Sequence, residues 1–168
     1  QGATKLIFDV RFNPGGYADE LVKVLDYLLP EGDLFRTVDY AGNEAVDKSD
    51  ADCLEIPMAV LVNASSYSAA EFFAAALREY EAAVVVGEQT VGKGYFQQTY
   101  TLGDGSAVGL SVGKYFTPKG VSLAGVGITP DIVVDNLSIE IQQGIYYGTL
   151  APMEDPQILA AIDALKGK

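Results

Sequence analysis

Apolar positions along the chain fall into two patterns, short unbroken runs and longer stretches at helical spacing. Lys5-Leu-Ile-Phe-Asp-Val10 is β-branched and aromatic and stops at Asn13-Pro14-Gly15-Gly16, which predicts a buried strand ending in a tight turn. Leu21, Val22, Val24, Leu25, Leu28 and Leu29 recur at helical spacing, with Asp19, Glu20, Lys23 and Asp26 on the polar side. An amphipathic helix follows from that, stopped by Pro30 and Gly32. Leu34 to Tyr40 reads as a strand, and the polar, acidic stretch from Gly42 to Glu55 as an exposed loop. Met58 to Val62 is a second buried strand, followed by the turn Asn63-Ala-Ser-Ser66. Ser68 to Tyr80 is Ala-rich and apolar on most sides, which predicts a largely buried helix. Ala82 to Val86 is a third buried strand. Gln97 to Thr101 and Ala107 to Val112 flank Gly103-Asp-Gly105, a hairpin signal that Lys114 to Phe116 continues. Ile132 to Val134 reads as a short last strand and Asp155 to Leu165 as a closing helix.

Alternating strands and helices, with the strands unbroken in their apolarity, imply βαβ crossovers and a mainly parallel sheet covered by helices. The hairpin adds an antiparallel part. The predicted class is therefore α/β, and 168 residues suit a single domain.

Composition narrows the chemistry. Acidic residues outnumber basic ones 23 to 11, for a net charge of −12, which argues against nucleic acid as a partner. No run approaches the ~18 apolar residues that cross a bilayer. Histidine is absent, so a Ser-His-Asp triad and imidazole-ligated zinc are both impossible. Cys53 is the lone cysteine, so there is no intramolecular disulfide. The chain opens at Gln1 with no signal peptide to read, and is expected to be a piece of a longer protein.

Ser68 stands where a strand and polar turn run into a helix. Ser68-Ala-Ala-Glu71 fits the capping box S-x-x-E, and capping alone accounts for a serine there. The same position also has unpaired N–H donors beside it that can hold an oxyanion. Ala69 N–H is the first donor, and the Gly15-Gly16 turn is a source of the second; Pro14 has none to give. Glu71 either caps the helix or supports the site.

Without histidine, a serine nucleophile needs lysine as its base, and such a lysine must sit in a dry pocket that disfavours the ammonium. Lys93 fits best, between glycines and just beyond a buried strand in Gly87-Glu-Gln-Thr-Val-Gly-Lys-Gly94, with Gln97 placed to orient its amine. Lys114, inside an apolar strand, is next; Lys5, Lys23, Lys48, Lys119, Lys166 and Lys168 read as solvated. The same segment matches seven positions of a phosphate-binding P-loop. Position eight is Gly94 rather than Ser or Thr, and Tyr95 to Tyr100 reads as strand rather than helix. Nucleotide binding is thus a remote alternative. From spacing alone, a binding or scaffold domain without chemistry also stands.

Phe8-Asp-Val-Arg-Phe-Asn-Pro-Gly-Gly16 resembles the D-x-R-x-N-P-G-G signature of C-terminal processing (tail-specific) serine peptidases. Ser66-Tyr-Ser-Ala-Ala-Glu71 is similar to their nucleophile segment S-A-S-A-x-E, and Gly87 to Gly94 to their lysine segment G-x-x-T-x-G-K-G. Tyr115-Phe-Thr-Pro-Lys-Gly120, Gly127-Ile-Thr-Pro-Asp131 and Asp155-Pro-Gln-Ile-Leu159 resemble later blocks, in order. The resemblance is strongest over residues 5–135, with a closing helix at about 155–165.

This resemblance implies a crotonase-like (Clp protease-like) ββα core and a Ser-Lys peptidase that forms an acyl-enzyme. Ser68 would be the nucleophile, Lys93 the general base and Gln97 its positioning residue. Ala69 N–H with Gly15 or Gly16 N–H would form the oxyanion hole, with Glu71 supporting. It further implies that no metal or cofactor is needed, with protein or peptide substrates that have nonpolar C-termini, a PDZ domain elsewhere in the full-length protein and an extracytoplasmic location, periplasm or cell envelope. A homodimer is among the assemblies open to it. The alternative is an inactive homologue that binds peptides. Two departures stand out: Tyr67 beside Ser68, where Ala is common, and Val121-Ser-Leu-Ala-Gly125, which lacks a basic residue often found there.

Overall fold

A computed structural model describes residues 2–135 and 137–167. Gln1, Asn136 and Lys168, the last among the lysines read as solvated, lie outside the described residues. The unbroken apolar runs form the parallel sheet, as their composition predicts: β1 (Leu6–Asp9), β4 (Met58–Val62), β5 (Ala83–Gly87) and β8 (Ile132–Val133), in the order β1-β4-β5-β8. Leu6 pairs with Met58, Met58 with Ala83 and Val86 with Ile132. Side chains alternate across a strand, so β4 feeds two cores. Met58, Val60 and Val62 pack with α1 (Ala18–Leu28) and α2 (Ala69–Glu79), while Ala59 and Leu61 pack with Ala161 and Leu165 of α4 (Pro156–Leu165). Every residue of β4 is buried for this reason.

The hairpin, β6 (Tyr95–Thr101) and β7 (Ala107–Phe116), belongs to a second, four-stranded antiparallel sheet with β2 (Gly32–Asp39) and β3 (Glu44–Ser49), in the order β3-β2-β7-β6. The strand β3 corrects the reading of 42–55 as loop. It pairs with β2 along an edge and leaves nearly all its side chains in solvent, so no hydrophobic alternation marks it. A short helix, α3 (Ile139–Tyr146), was also invisible in the sequence pattern. Ser138 caps it by accepting the Ile141 N–H, and it buries no residue that would impose a stripe.

The helix α2 lies between the two sheets. Phe73 meets Phe8 of β1 edge-on at 5.2 Å, while its neighbour Phe72 meets Phe35 of β2 at 5.3 Å and Tyr115 of β7 at 5.4 Å. Residues 70–77 are all buried, which is what an Ala-rich helix apolar on every side requires. The Ser68 end of α2 is thereby held in a fixed position between the exits of β1, β4 and β5.

Candidate active site

Asn63 and Ser66, both buried, lace the exits of β1 and β4 together. Asn63 Oδ1 accepts Phe12 N–H at 3.0 Å and Ser65 N–H at 3.1 Å, and Ser66 Oγ donates to Val10 O at 2.7 Å. Tyr67 N–H reaches Asn13 O at 3.2 Å. These bonds lead the chain into Ser68, whose backbone has φ 60° and ψ −127°. That region is costly for any residue with a Cβ, by about 1–3 kcal/mol, and such strain recurs where a nucleophile is presented at a strand-to-helix turn.

The glycine turn packs directly on this segment. A Cβ on Gly15 (φ +86°) would lie 2.7 Å from Ala69 N and 2.9 Å from Ser68 Cβ, so only glycine fits. Gly15 N–H donates to Asn13 Oδ1 at 2.8 Å. It is therefore occupied. The N–H groups of Ala69 and Gly16 have no hydrogen-bond partner among the described residues. Beside them opens a cavity of about 310 Å³, lined by Phe8, Val10, Leu21, Val24 and Phe73, with Asp9 and Glu20 at its polar side.

Glu71 lies at the centre of the arrangement. Its carboxylate is fully buried and accepts four hydrogen bonds. Oε2 takes Ser68 N–H and Lys93 N–H, both at 2.9 Å; Oε1 takes Gly92 N–H at 2.7 Å and the Thr90 hydroxyl at 2.5 Å. Thr90 Oγ1 also accepts Ile128 N–H at 2.8 Å, which fastens the lysine loop to the segment preceding β8. Glu71 thus caps α2 and also anchors the loop that carries Lys93. The same carboxylate makes the cap's bond to Ser68 N–H and the bonds that hold the lysine loop. Thr90, the second holder of Glu71, escaped sequence reasoning; its signal was the T of the lysine segment.

Lys93 is half-buried, and its ammonium lies 5.7 Å from the centroid of the Tyr67 ring, within cation–π range. No hydrogen bond joins it to Ser68 or Gln97 among the described residues. Gln97 is exposed on β6, where its amide donates to Tyr95 O at 3.0 Å and Ser111 Oγ at 3.4 Å. Lys114 is exposed on β7, with its ammonium 5.6 Å from the Tyr95 ring. The segment after Lys93 is strand β6, so the loop does not run into the N-terminus of a helix of its own, as a P-loop does.

Arg11, the arginine of D-x-R, is buried in a pocket of acceptors. Burial alone would lower its pKa, but hydrogen bonds and charge from Asp9, then Asp155, outweigh it and hold the guanidinium above its ordinary value.

The sequence profile of peptidase family S41 matches residues 1–134. The chain belongs to peptidase family S41. It is 38% identical over 151 residues to a carboxy-terminal-processing protease of Bartonella bacilliformis, covering 88% of this chain and 35% of that protein. It is 36% identical over 168 residues to a carboxyl-terminal-processing protease of Synechocystis, covering 99% and 38%. Among solved structures, the photosystem II D1 C-terminal processing protease matches with a TM-score of 0.74 at 36% identity, over 80% of this chain and 35% of that one. The chain thus spans just over a third of the length of these curated relatives. Within an S41 framework the strained serine and the lysine loop are brought together around Glu71 and the glycine turn packs on Ser68 and Ala69, while among the described residues no hydrogen bond links Gln97 to the Lys93 amine.

Proposed function

We propose that residues 1–168 are the peptidase core of a C-terminal processing serine protease, with Ser68 as nucleophile and Lys93 as general base. One observation carries this reading: a single buried carboxylate, Glu71, holds both the Ser68 N–H and the Lys93 N–H at 2.9 Å. The nucleophile and base segments are therefore fixed to a common point. In the reaction the Lys93 side chain turns from the Tyr67 ring toward Ser68, and its neutral amine accepts the Ser68 Oγ proton as Oγ attacks the scissile carbonyl. Gln97 Oε1, which has no hydrogen bond among the described residues, receives the amine in that position.

The oxyanion settles between Ala69 N–H and Gly16 N–H, since Gly15 N–H is committed to Asn13. Lys93 returns the proton to the leaving amine, a water deprotonated by Lys93 hydrolyses the acyl-enzyme, and Ser68 regains its proton. The apolar cavity beside Gly16 takes a nonpolar side chain, in keeping with substrates that end in nonpolar residues. The core works within a longer, extracytoplasmic protein that carries a PDZ domain.

The resting place of Lys93 over Tyr67 favours one second reading, a peptide-binding homologue without turnover. Casein cleavage, without ATP or metal, separates the two when this chain and the chain with its N-terminal region restored are each compared with Lys93→Ala and Ser68→Ala. Cleavage lost in both variants supports the dyad; substantial turnover by either variant refutes it. No cleavage by any form supports the binding module.

A further inference from the structure

The turn that presents Gly16 begins at Arg11, and Arg11 is gripped from the far end of the chain. Its side chain is 3% exposed. Nε donates to Asp9 Oδ1 at 2.9 Å and Nη2 to Asp9 Oδ2 at 2.5 Å, the forked geometry that matches guanidinium to carboxylate. Nη1 donates to Asp155 Oδ2 at 2.7 Å and to Gln157 Oε1 at 2.9 Å. Asp155 is the N-cap of α4, and its Oδ1 accepts Gln157 N–H at 2.9 Å and Ile158 N–H at 3.3 Å. Gln157 Nε2 in turn donates to Val134 O at 2.8 Å, just past β8. One guanidinium therefore joins the end of β1, the start of α4 and the exit of β8.

Two details tie this junction to the site. Phe12, the next residue, sits at φ 57°, a strained value that needs holding on both sides. Asn63 takes its N–H and Arg11 precedes it, while its ring meets Tyr146 of α3 edge-on at 5.2 Å. Beyond it, Asn13 and Gly15 close the turn. Asp155 and Gln157 also lie outside residues 1–134, the part that the family profile matches.

We propose that Asp155 and Gln157 are positioning residues for the oxyanion turn, acting through Arg11 to hold residues 12–16 in register with Ala69. The catalytic half of this statement rests on the peptidase reading above; the structural half does not. Docking of α4 is then a condition of a formed oxyanion hole, and loosening its first turn releases the Gly16 donor.

Asp155→Asn tests this, because asparagine caps a helix as well as aspartate but gives up the charged partner of Arg11. Amide hydrogen exchange is measured in the same chain, with and without the substitution. The expected result is exchange about tenfold faster at the bonded amides of this turn, Phe12, Asn13 and Gly15, with 159–165 unchanged, as local opening replaces a charge-assisted bond. In parallel, kcat per fluorophosphonate-titrated site falls about tenfold with KM nearly constant, the signature of a lost transition-state contact. Gln157→Met, which keeps volume and removes a bond to Arg11, gives a smaller change in the same direction, and it decides the matter if Asp155→Asn does not fold. Unchanged exchange at these amides overturns the proposal, whatever happens to activity. A wild-type chain that takes up no fluorophosphonate at Ser68 counts against the peptidase reading instead, and the exchange data still decide the clasp.

Discussion

The Glu71 carboxylate bonds the backbone N–H of Lys93 across 22 residues of chain, and with the same oxygen it bonds Ser68. The carboxylate accepts from the backbone, so it fixes where the lysine loop starts while leaving the side chain free to turn. Removing the charge while keeping the volume should therefore damage fold and site together. Glu71→Gln places an amide NH₂ against donors already committed to an acceptor, and we expect a loss of about 2–4 kcal/mol, since each buried unsatisfied group costs about 1–3 kcal/mol. Urea unfolding of the two proteins measures it; a difference under about 0.5 kcal/mol would place the role of Glu71 elsewhere.

Ser68 allows a test that separates strain from chemistry. At φ 60° and ψ −127°, alanine keeps the backbone penalty and glycine relieves it. Under the proposed mechanism, both variants are expected to lose hydrolysis. Ser68→Gly is expected to be more stable than Ser68→Ala by about 1 kcal/mol, after the greater freedom of glycine in the unfolded chain has been subtracted. Calorimetry of the pair would contradict the strain argument if the alanine protein melted higher.

The neighbouring glycines are predicted to differ sharply. Gly15→Ala drives a methyl into Ala69 N at a positive φ and should cost about 2–4 kcal/mol, because backbone on both sides must move. Gly16→Ala meets nothing within 4 Å and should change stability by no more than about 0.5 kcal/mol. Melting curves for the two, run side by side, report the contrast; equal losses would mean that the turn is not packed as described.

Acid should open the antiparallel sheet at its turns. Asp39 is held below its ordinary value, first by the Asn43 side chain and then by the Asn43, Ala41 and Gly42 N–H groups. Asp104 is held low by the Ser106 hydroxyl and N–H in the β6–β7 turn. A depressed folded-state pKa contributes stability that is complete above the unfolded value, about 4, and is lost as pH falls through the lower folded value. Amide exchange at 40–43 and 103–106, corrected for intrinsic rates, is expected to rise below about pH 4, and Asp39→Asn should remove the pH step in the first turn. A flat profile in wild type would refute the assignment.

How much of this was legible depends on the range of the interaction. Met58 to Val62 and Ala82 to Val86 declared themselves as buried strands because both faces of the parallel sheet are covered, so every position is apolar. β3 carries Glu44, Asp47 and Lys48 on an edge open to water, and nothing in its pattern differs from a loop. Ser68-x-x-Glu71 was readable as a cap because capping is local. The remaining donors to Glu71, at Thr90, Gly92 and Lys93, are set by the packing of β5 against β4 and leave no periodic trace. That Gly15 N–H is occupied and Gly16 N–H is not likewise required the side chain of Asn13 in place.

Because α2 is enclosed from Ala70 to Leu77, the helix that carries Ser68 has no wet side along which to slide or roll. Any adjustment of the proposed site must come instead from the strips of chain approaching from either flank, the glycine turn and the lysine loop, with Ser68 as the stationary jaw of the vice.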